Sequence, residues 1–186
     1  MSALKRLLLA ALLCAVFPVS AWANDSAEAF MSVTFGLSVA RTQKRMEQSG
    51  ATASDYVRQG QLSMKGSFEY RSAIFAFRFH AKKGLNHKAV YIASAGDAGA
   101  DRALYDAFRE AYNTRFGVVE ERATPDLRDK KGGLVLRSAW KPDKDTIISL
   151  SYNPALTNRL PNDSPVSRPV HLIYNYTKWN TPGVNP

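Results

Sequence analysis

Three phenylalanines at alternate positions constrain the fold of this chain more than any other feature. Phe75, Phe77 and Phe79 are spaced two residues apart, so they lie on one face of an extended strand. Arg78 and His80 then point to the other face. On a helix the three rings would be spread around the circumference. The segment that carries them is therefore predicted to be a central strand of a sheet with one buried aromatic face and one partly polar face.

The first residues have the pattern of a cleavable signal peptide. Lys5 and Arg6 provide a basic start, an apolar run covers 7–17, and positions 21–23 read Ala-Trp-Ala, a small-x-small cleavage pattern. A retained anchor helix is the alternative, but the run is shorter than the roughly 20 residues that span a bilayer. We therefore expect a signal peptide at 1–23, a periplasmic or secreted protein, and no transmembrane segment after cleavage.

The remaining chain, 24–186, has the size of a single domain. Its sequence contains a proline-rich stretch at 153–169, which is predicted to be a long loop. The only cysteine, Cys14, lies inside the predicted signal peptide, so we expect no disulfide. An exported chain without cysteine is more typical of a bacterial periplasm than of a eukaryotic extracellular space.

The chain carries an excess of positive charge. The net charge is +9, and +7 remains without Lys5 and Arg6. Such an excess favours contact with an acidic protein, an anionic glycan or a lipid head group. The basic residues are spread along the whole chain and form no block, which is also the pattern of an ordinary solvated surface. Nucleic acid is not an expected partner.

Hydrophobic periodicity predicts the order helix, three strands, helix, three strands. The first helix begins after Ser38 and ends before Gly50, and the second covers 97–116 with an apolar face predicted to lie on the phenylalanine strand. The segments 24–33 and 177–186 show no period. The strands are expected at 61–70, 72–80, 88–94, 134–140, 146–152 and 170–176. This predicts an α+β fold, with an antiparallel sheet of about six strands, two helices packed on one face, and no internal repeat.

Several segments together resemble a broad group of small secreted bacterial α+β domains. They cover most of residues 35 to 152 and consist of Phe35-Gly36-Leu37-Ser38, the phenylalanine-rich strands, the helix from Leu104-Tyr105 to Arg115-Phe116-Gly117, and the Trp140…Thr146-Ile147-Ile148-Ser149-Leu150 hairpin. The resemblance implies a fold and a location in the cell envelope. It implies no catalytic residue. The proline-rich loop and the last strand depart from it.

The residue types that most enzymes need are sparse. The only histidines are His80, His87 and His171, and no two stand at a helical i, i+4 spacing. No Gly-x-Ser-x-Gly turn is present, and the segment 96–100 lacks the ending of a phosphate-binding loop. We therefore expect no metal, no cofactor and no catalytic residue. His80 and His171 would be near each other if their strands were neighbours.

The face opposite the phenylalanines offers the best candidate site. Strand parity places arginines, small polar groups and a few large apolar residues there, a composition similar to that of interfaces. The candidate binding residues are Arg78, His80, Arg137, His171, Asn175 and Trp179. An ordinary half-exposed sheet face is the alternative, and a register slip of one residue would exchange the two faces.

The sequence as a whole predicts a non-catalytic periplasmic binding or accessory module for a protein or an anionic envelope component. Two alternatives stay open. One is a hydrolase of an envelope polymer, with His80 or His171 as the acid or base. The other is a structural domain that dimerises along an exposed strand edge.

Overall fold

The computed structural model describes residues 26–55, 60–126, 133–157 and 165–179, and the predicted signal peptide lies outside them. Helices α1, α2 and α3 span Ser26–Ser32, Val39–Glu47 and Ala98–Phe116. The strands are β1 (Thr52–Ala53), β2 (Gln61–Phe68), β3 (Arg71–His80), β4 (Gly84–Ile92), β5 (Arg122–Pro125), β6 (Leu134–Trp140), β7 (Thr146–Tyr152) and β8 (Val170–Tyr176). All pair antiparallel in one sheet, which confirms the α+β class.

The predicted numbers of strands and helices were too low. The sheet has eight strands, not about six, and three helices pack with it, not two. The additional strands β1 and β5 have two and four residues, which is too short to show an alternating pattern. Helix α1 has seven residues and only two turns, so its apolar positions also define no period. Each missed element is therefore shorter than the window in which periodicity is visible.

The two halves of the chain repeat one order of elements, although the sequence predicted no internal repeat. Each half runs from a helix through a short edge strand to three sequential strands, as α2–β1–β2–β3–β4 and as α3–β5–β6–β7–β8. The last strands of the two halves pair at the centre, and the sheet order is β1-β2-β3-β4-β8-β7-β6-β5. From one edge to the centre the strands are β1, β2, β3 and β4, and from the other edge to the centre they are β5, β6, β7 and β8. The fold thus has an internal pseudo-two-fold axis between β4 and β8.

Helix α1 covers the phenylalanine strand. Phe75 and Phe77 are fully buried, and the ring of Phe30 lies 5.5 Å and 6.0 Å from their rings. Lys88 on β4 fixes the end of α1, because its ammonium group donates to the backbone carbonyls of Phe30, Met31 and Val33 at 2.9, 3.2 and 2.8 Å. The last carbonyl groups of a helix lack the partners that the interior carbonyls have, and that of Phe30 accepts only a longer hydrogen bond of 3.3 Å from the amide group of Val33 besides that of the lysine. Lys88 therefore acts as a C-terminal cap.

Helix α3 covers mainly the second half of the sheet, whereas the sequence predicted that it would cover β3. The hydroxyl group of Tyr105 lies 3.0 Å from that of Ser138 on β6, and the ring of Tyr112 lies 5.2 Å from that of Trp140. Its start is fixed by Asp101, which is fully buried and accepts hydrogen bonds at 2.5 Å from Arg71. None of the helices in the described part of the chain is long and apolar enough to cross a membrane.

Candidate functional site

The side chains that alternate with the buried phenylalanines lie on the sheet face opposite α1, α2 and α3, which we call the helix-free face. Strand pairing arranges them in three rows across the sheet. The first row is Gln61, Arg78, His87, Asn175 and Ile147. The central row is Ser63, Ala76, Ala89, Ile173, Ser149 and Ala139. The third row is Lys65, Ile74, Tyr91, His171, Ser151 and Arg137.

The central row is built from short side chains. Ile173 is its only residue larger than serine, and Ala76 and Ala89 are buried. The two outer rows carry arginine, lysine, histidine, glutamine and tyrosine, whose side chains extend further from the sheet. The face therefore has low relief along its middle and longer polar groups along both sides.

The charges of the helix-free face have one sign. Its described strand positions include Lys65, Arg78, Arg137 and Arg122, and none of them is occupied by aspartate or glutamate. Lys65 forms an ion pair of 2.8 Å with Asp55. Within the described part of the chain, the guanidinium groups of Arg78 and Arg137 form no ion pair or hydrogen bond. The face thus presents at least two arginines without a described counter-ion.

Arg78 and Arg137 occupy opposite corners of this face. Arg78 lies on β3 in the first row and Arg137 lies on β6 in the third row, which places them four strand spacings and four residues apart. With standard sheet dimensions the separation is about 23 Å. The pseudo-two-fold that exchanges Ala89 with Ile173 also exchanges His87 with His171. The axis does not exchange the two arginines, because Arg78 corresponds to Ser151, which lies opposite Arg137. Each half of the fold nevertheless contributes one arginine and one histidine to its own corner.

The second corner is held in place by the end of the proline-rich loop. The Nε2 atom of His171 lies 2.7 Å from the carbonyl oxygen of Arg168, and its ring contacts that of Tyr91 edge to face at 4.9 Å. Arg168 is itself buried and donates to the carbonyl oxygen of Ser72 at 2.8 Å. The start of β8 is thereby tied to the start of β3. The described ends of the predicted loop are accordingly ordered into the 3-10 turns Pro154–Leu156 and Pro165–Ser167.

Four of the six predicted candidate residues lie on the helix-free face, namely Arg78, Arg137, His171 and Asn175. His80 ends β3, and its Nδ1 atom accepts a hydrogen bond from the backbone of Lys82 at 3.2 Å, which fixes the ring to the turn. Its strand and that of His171 are not neighbours, because β4 lies between them.

The predicted position of Trp179 was wrong. The parity argument continued the last strand through residue 179, but β8 ends at Tyr176 and the turn Thr177–Trp179 follows. A helical turn abolishes the alternation on which the argument depended. The ring of Trp179 packs instead on that of Tyr176 at 4.5 Å, and Tyr176 contacts Phe35 at 5.2 Å. Trp179 therefore belongs to the layer on the helical side.

Sequence reasoning missed His87 as a site residue. The segment 81–87 was predicted to be a turn, whereas β4 begins at Gly84 and includes His87. Gly84 has a φ of +79°, which allows the chain to leave the turn early. The alternation of His87, Ala89 and Tyr91 was the available signal. His87 lies directly opposite Arg78 in the sheet and completes the first corner.

The buried ionisable groups with shifted pKa values are hydrogen-bonded within the fold. Burial lowers the pKa of Lys88 to about 8, but its ammonium group is enclosed by the end of α1. Burial likewise raises the pKa of Tyr112 and Tyr174, whose hydroxyl groups are hydrogen-bonded to each other. Among the described residues no group of three or more histidine, cysteine, aspartate or glutamate side chains is arranged to hold a metal ion.

A polar groove of about 530 Å³ lies on the outer side of α3. Its charges are largely balanced internally, since Arg102 pairs with Asp106 at 2.8 Å and with Glu121 at 3.0 Å. These ion pairs are those of an ordinary helix surface, so the described residues of the groove carry no unbalanced charge that points to a ligand. The helix-free face, with its unbalanced charge, is the stronger candidate. Comparisons with protein families, with curated proteins and with solved structures find no match to this chain.

Proposed function

We propose that this protein is a non-catalytic binding module of the cell envelope, and that its helix-free face holds an acidic envelope component. One observation carries the proposal. The face displays Arg78 and Arg137 without a described counter-ion, and no described strand position on it carries a carboxylate. The export pattern at 1–23 supports a periplasmic location, where acidic glycans and lipid head groups are available as ligands.

The absence of carboxylates from the described strand positions of this face supports the proposal. Arg71 and Arg102, which lie off this face, pair with Asp101 at 2.5 Å and with Asp106 at 2.8 Å. A face on which arginines lack such neighbours has a positive potential, which attracts anions and orients them before contact. Arginine is also suited to this role because its planar group binds carboxylate or phosphate with two parallel hydrogen bonds.

The contacts of His80 and His171 give little support to a catalytic role. His80 is held by the backbone of its turn, and the Nε2 atom of His171 lies against a backbone carbonyl group. A general acid or base needs a pathway for its proton to a reacting atom. These contacts favour fixed binding groups over a hydrolytic pair.

Retention on immobilised heparin, an acidic polysaccharide, distinguishes binding by the helix-free face from retention by positive charge spread over the whole surface. The double variant Arg78→Gln/Arg137→Gln removes two charges from the helix-free face. The matched control Arg41→Gln/Lys44→Gln removes two charges from exposed positions of α2, on the other side of the sheet. We expect the first variant to elute at a clearly lower salt concentration than the wild type and the control to elute close to it.

Equal losses of retention in the two variants would show that the interaction reflects diffuse net charge, and the proposal would be wrong. Capture of a protein partner from periplasmic extract that withstands high salt and depends on Arg78 would identify a protein surface as the ligand instead. Cell fractionation tests the location, which we expect to be the periplasm.

A further inference from the structure

We infer that the ligand is a linear acidic polysaccharide that crosses the helix-free face and places one acidic group at each of its two corners. This inference rests on the proposed function and names the ligand. The corners are defined by Arg78, beside the buried His87, on the first half of the fold, and by Arg137, near His171, on the second half. The arginines are the groups that contact the ligand. The short side chains of the central row separate them.

The separation of the corners requires an extended ligand. Four strand spacings and four residues along the strands give about 23 Å between Arg78 and Arg137. A single phosphate or carboxylate group contacts only one corner. A flexible chain with repeated acidic groups contacts both, and the second contact is then made within the complex already formed. Such linkage increases the overall affinity by roughly 10²–10⁴-fold over one contact.

The groups between the corners match the neutral parts of a polysaccharide. Ser149 and Ser151 on β7 present hydroxyl groups, which are suitable partners for sugar hydroxyl groups. Tyr91, whose ring packs on His171, adds apolar aromatic surface to the same face. A polymer with a charge on every unit, such as polyphosphate, would leave several charges over this uncharged centre. The composition of the face therefore favours sugars with spaced carboxylates.

The two corners of the face determine how many ligand molecules each protein molecule binds. Because each half of the fold supplies one corner, a ligand too short to cross the face has two weak sites on each protein molecule. A ligand long enough to cross it occupies both sites at once, with one chain on each molecule. Length dependence and stoichiometry therefore change together, which neither a single site nor diffuse charge would produce.

Calorimetric titration of the purified protein with hyaluronate oligomers, which carry a carboxylate on every second sugar, tests this inference. The probes are the hyaluronate disaccharide and an oligomer long enough to span the face, and the proteins are the wild type, Arg78→Gln, Arg137→Gln and the control Arg41→Gln. We expect the wild type to bind two short probes weakly and one long probe about a hundredfold more tightly. Each corner variant should lose most of this advantage and bind one short probe, whereas the control should match the wild type.

Three other outcomes would each refute a different part of the proposal. Equal affinity for short and long probes, with both weakened in the corner variants, would refute the spanning ligand and leave the proposed function intact. Tighter binding of long-chain polyphosphate than of the long hyaluronate would refute the polysaccharide assignment. Loss of binding in Arg41→Gln equal to that in the corner variants would refute the helix-free face as the site, and with it the proposed function.

Discussion

The buried lysine under α1 gives a prediction whose size follows from the structure. Lys88 is 5% exposed, and its ammonium group donates to three backbone carbonyls at the end of α1. Burial lowers its pKa from 10.5 to about 8. At pH 7 the group is still mostly protonated and all three hydrogen bonds are made. We expect the variant Lys88→Met to keep the packing of the side-chain stem and to remove the ammonium donor from the carbonyl groups of Phe30, Met31 and Val33.

The pH dependence of this contribution has a definite sign. Between pH 8 and pH 10.5 the unfolded chain binds a proton at Lys88 that the folded protein has released, so the free energy of unfolding rises with pH in that window. The difference between the two pKa values corresponds to about 3 kcal/mol. The wild type should therefore gain about 3 kcal/mol relative to Lys88→Met on going from pH 7 to pH 10.5.

Urea unfolding of both proteins across this pH range measures the effect. Comparison of the two proteins cancels the contribution of tyrosines and other groups that titrate in both. Parallel curves would show that Lys88 keeps its ordinary pKa when buried, and the reasoning from desolvation would be wrong. A difference that fell with increasing pH would show that the carbonyl groups of α1 stabilise the ammonium form more than burial disfavours it.

Three further comparisons test the fold. Phe77→Ala should lower the free energy of unfolding by about 3–5 kcal/mol, whereas Arg78→Gln should leave the urea midpoint almost unchanged, and the reverse ranking would show that the two faces are exchanged. Asp101→Asn should cost about 1.5–3 kcal/mol, measured by thermal unfolding, because the buried carboxylate loses its charge-assisted hydrogen bond with the partly exposed Arg71. Replacement of Glu69-Tyr70, whose φ values are 49° and 59°, by Asn-Gly should stabilise the hairpin by about 1 kcal/mol, and a lower melting temperature would contradict this.

Long periodic segments could be predicted from the sequence, and the connections between them could not. The alternation of Phe75, Phe77 and Phe79 identified β3, and Ser38 correctly marked the start of α2, where its hydroxyl oxygen accepts from the backbone of Arg41. No local pattern indicated that β4 pairs with β8, because this pairing is set by contacts between residues far apart in the chain. The internal repeat was missed for the same reason: it is a repeat of topology.

Helix α1 shows why the core was only partly predictable. Its sequence has one strong apolar anchor, Phe30, within seven residues, and nothing in that stretch indicates that the ring contacts Phe75 and Phe77. The helix exists because the sheet offers an aromatic surface and because Lys88 caps its end. Both stabilising groups come from distant parts of the chain, so local propensity is a poor guide to such an element.

The sequence predicted on which face of the sheet the candidate residues lie, but it did not predict how they are arranged on that face. Parity alone placed Arg78 and Arg137 on one side of the sheet, and the structure agrees. Whether two such residues are neighbours depends on strand order, which parity does not contain. The sequence therefore allowed one basic cluster where the structure has two corners. Trp179 was misplaced because parity holds only while the strand continues, and His87 was missed because the turn is shorter than predicted.

The charge pattern also weighs against a second copy of this chain as the occupant of the helix-free face. A symmetric dimer buries the same surface from both partners, so two such faces would bring arginines against arginines. Like charges in a desolvated interface cost several kcal/mol. Dimerisation along the edges has little support either, because the edge strands β1 and β5 offer two and four residues for pairing. The proposed acidic chain would instead neutralise both corners at once.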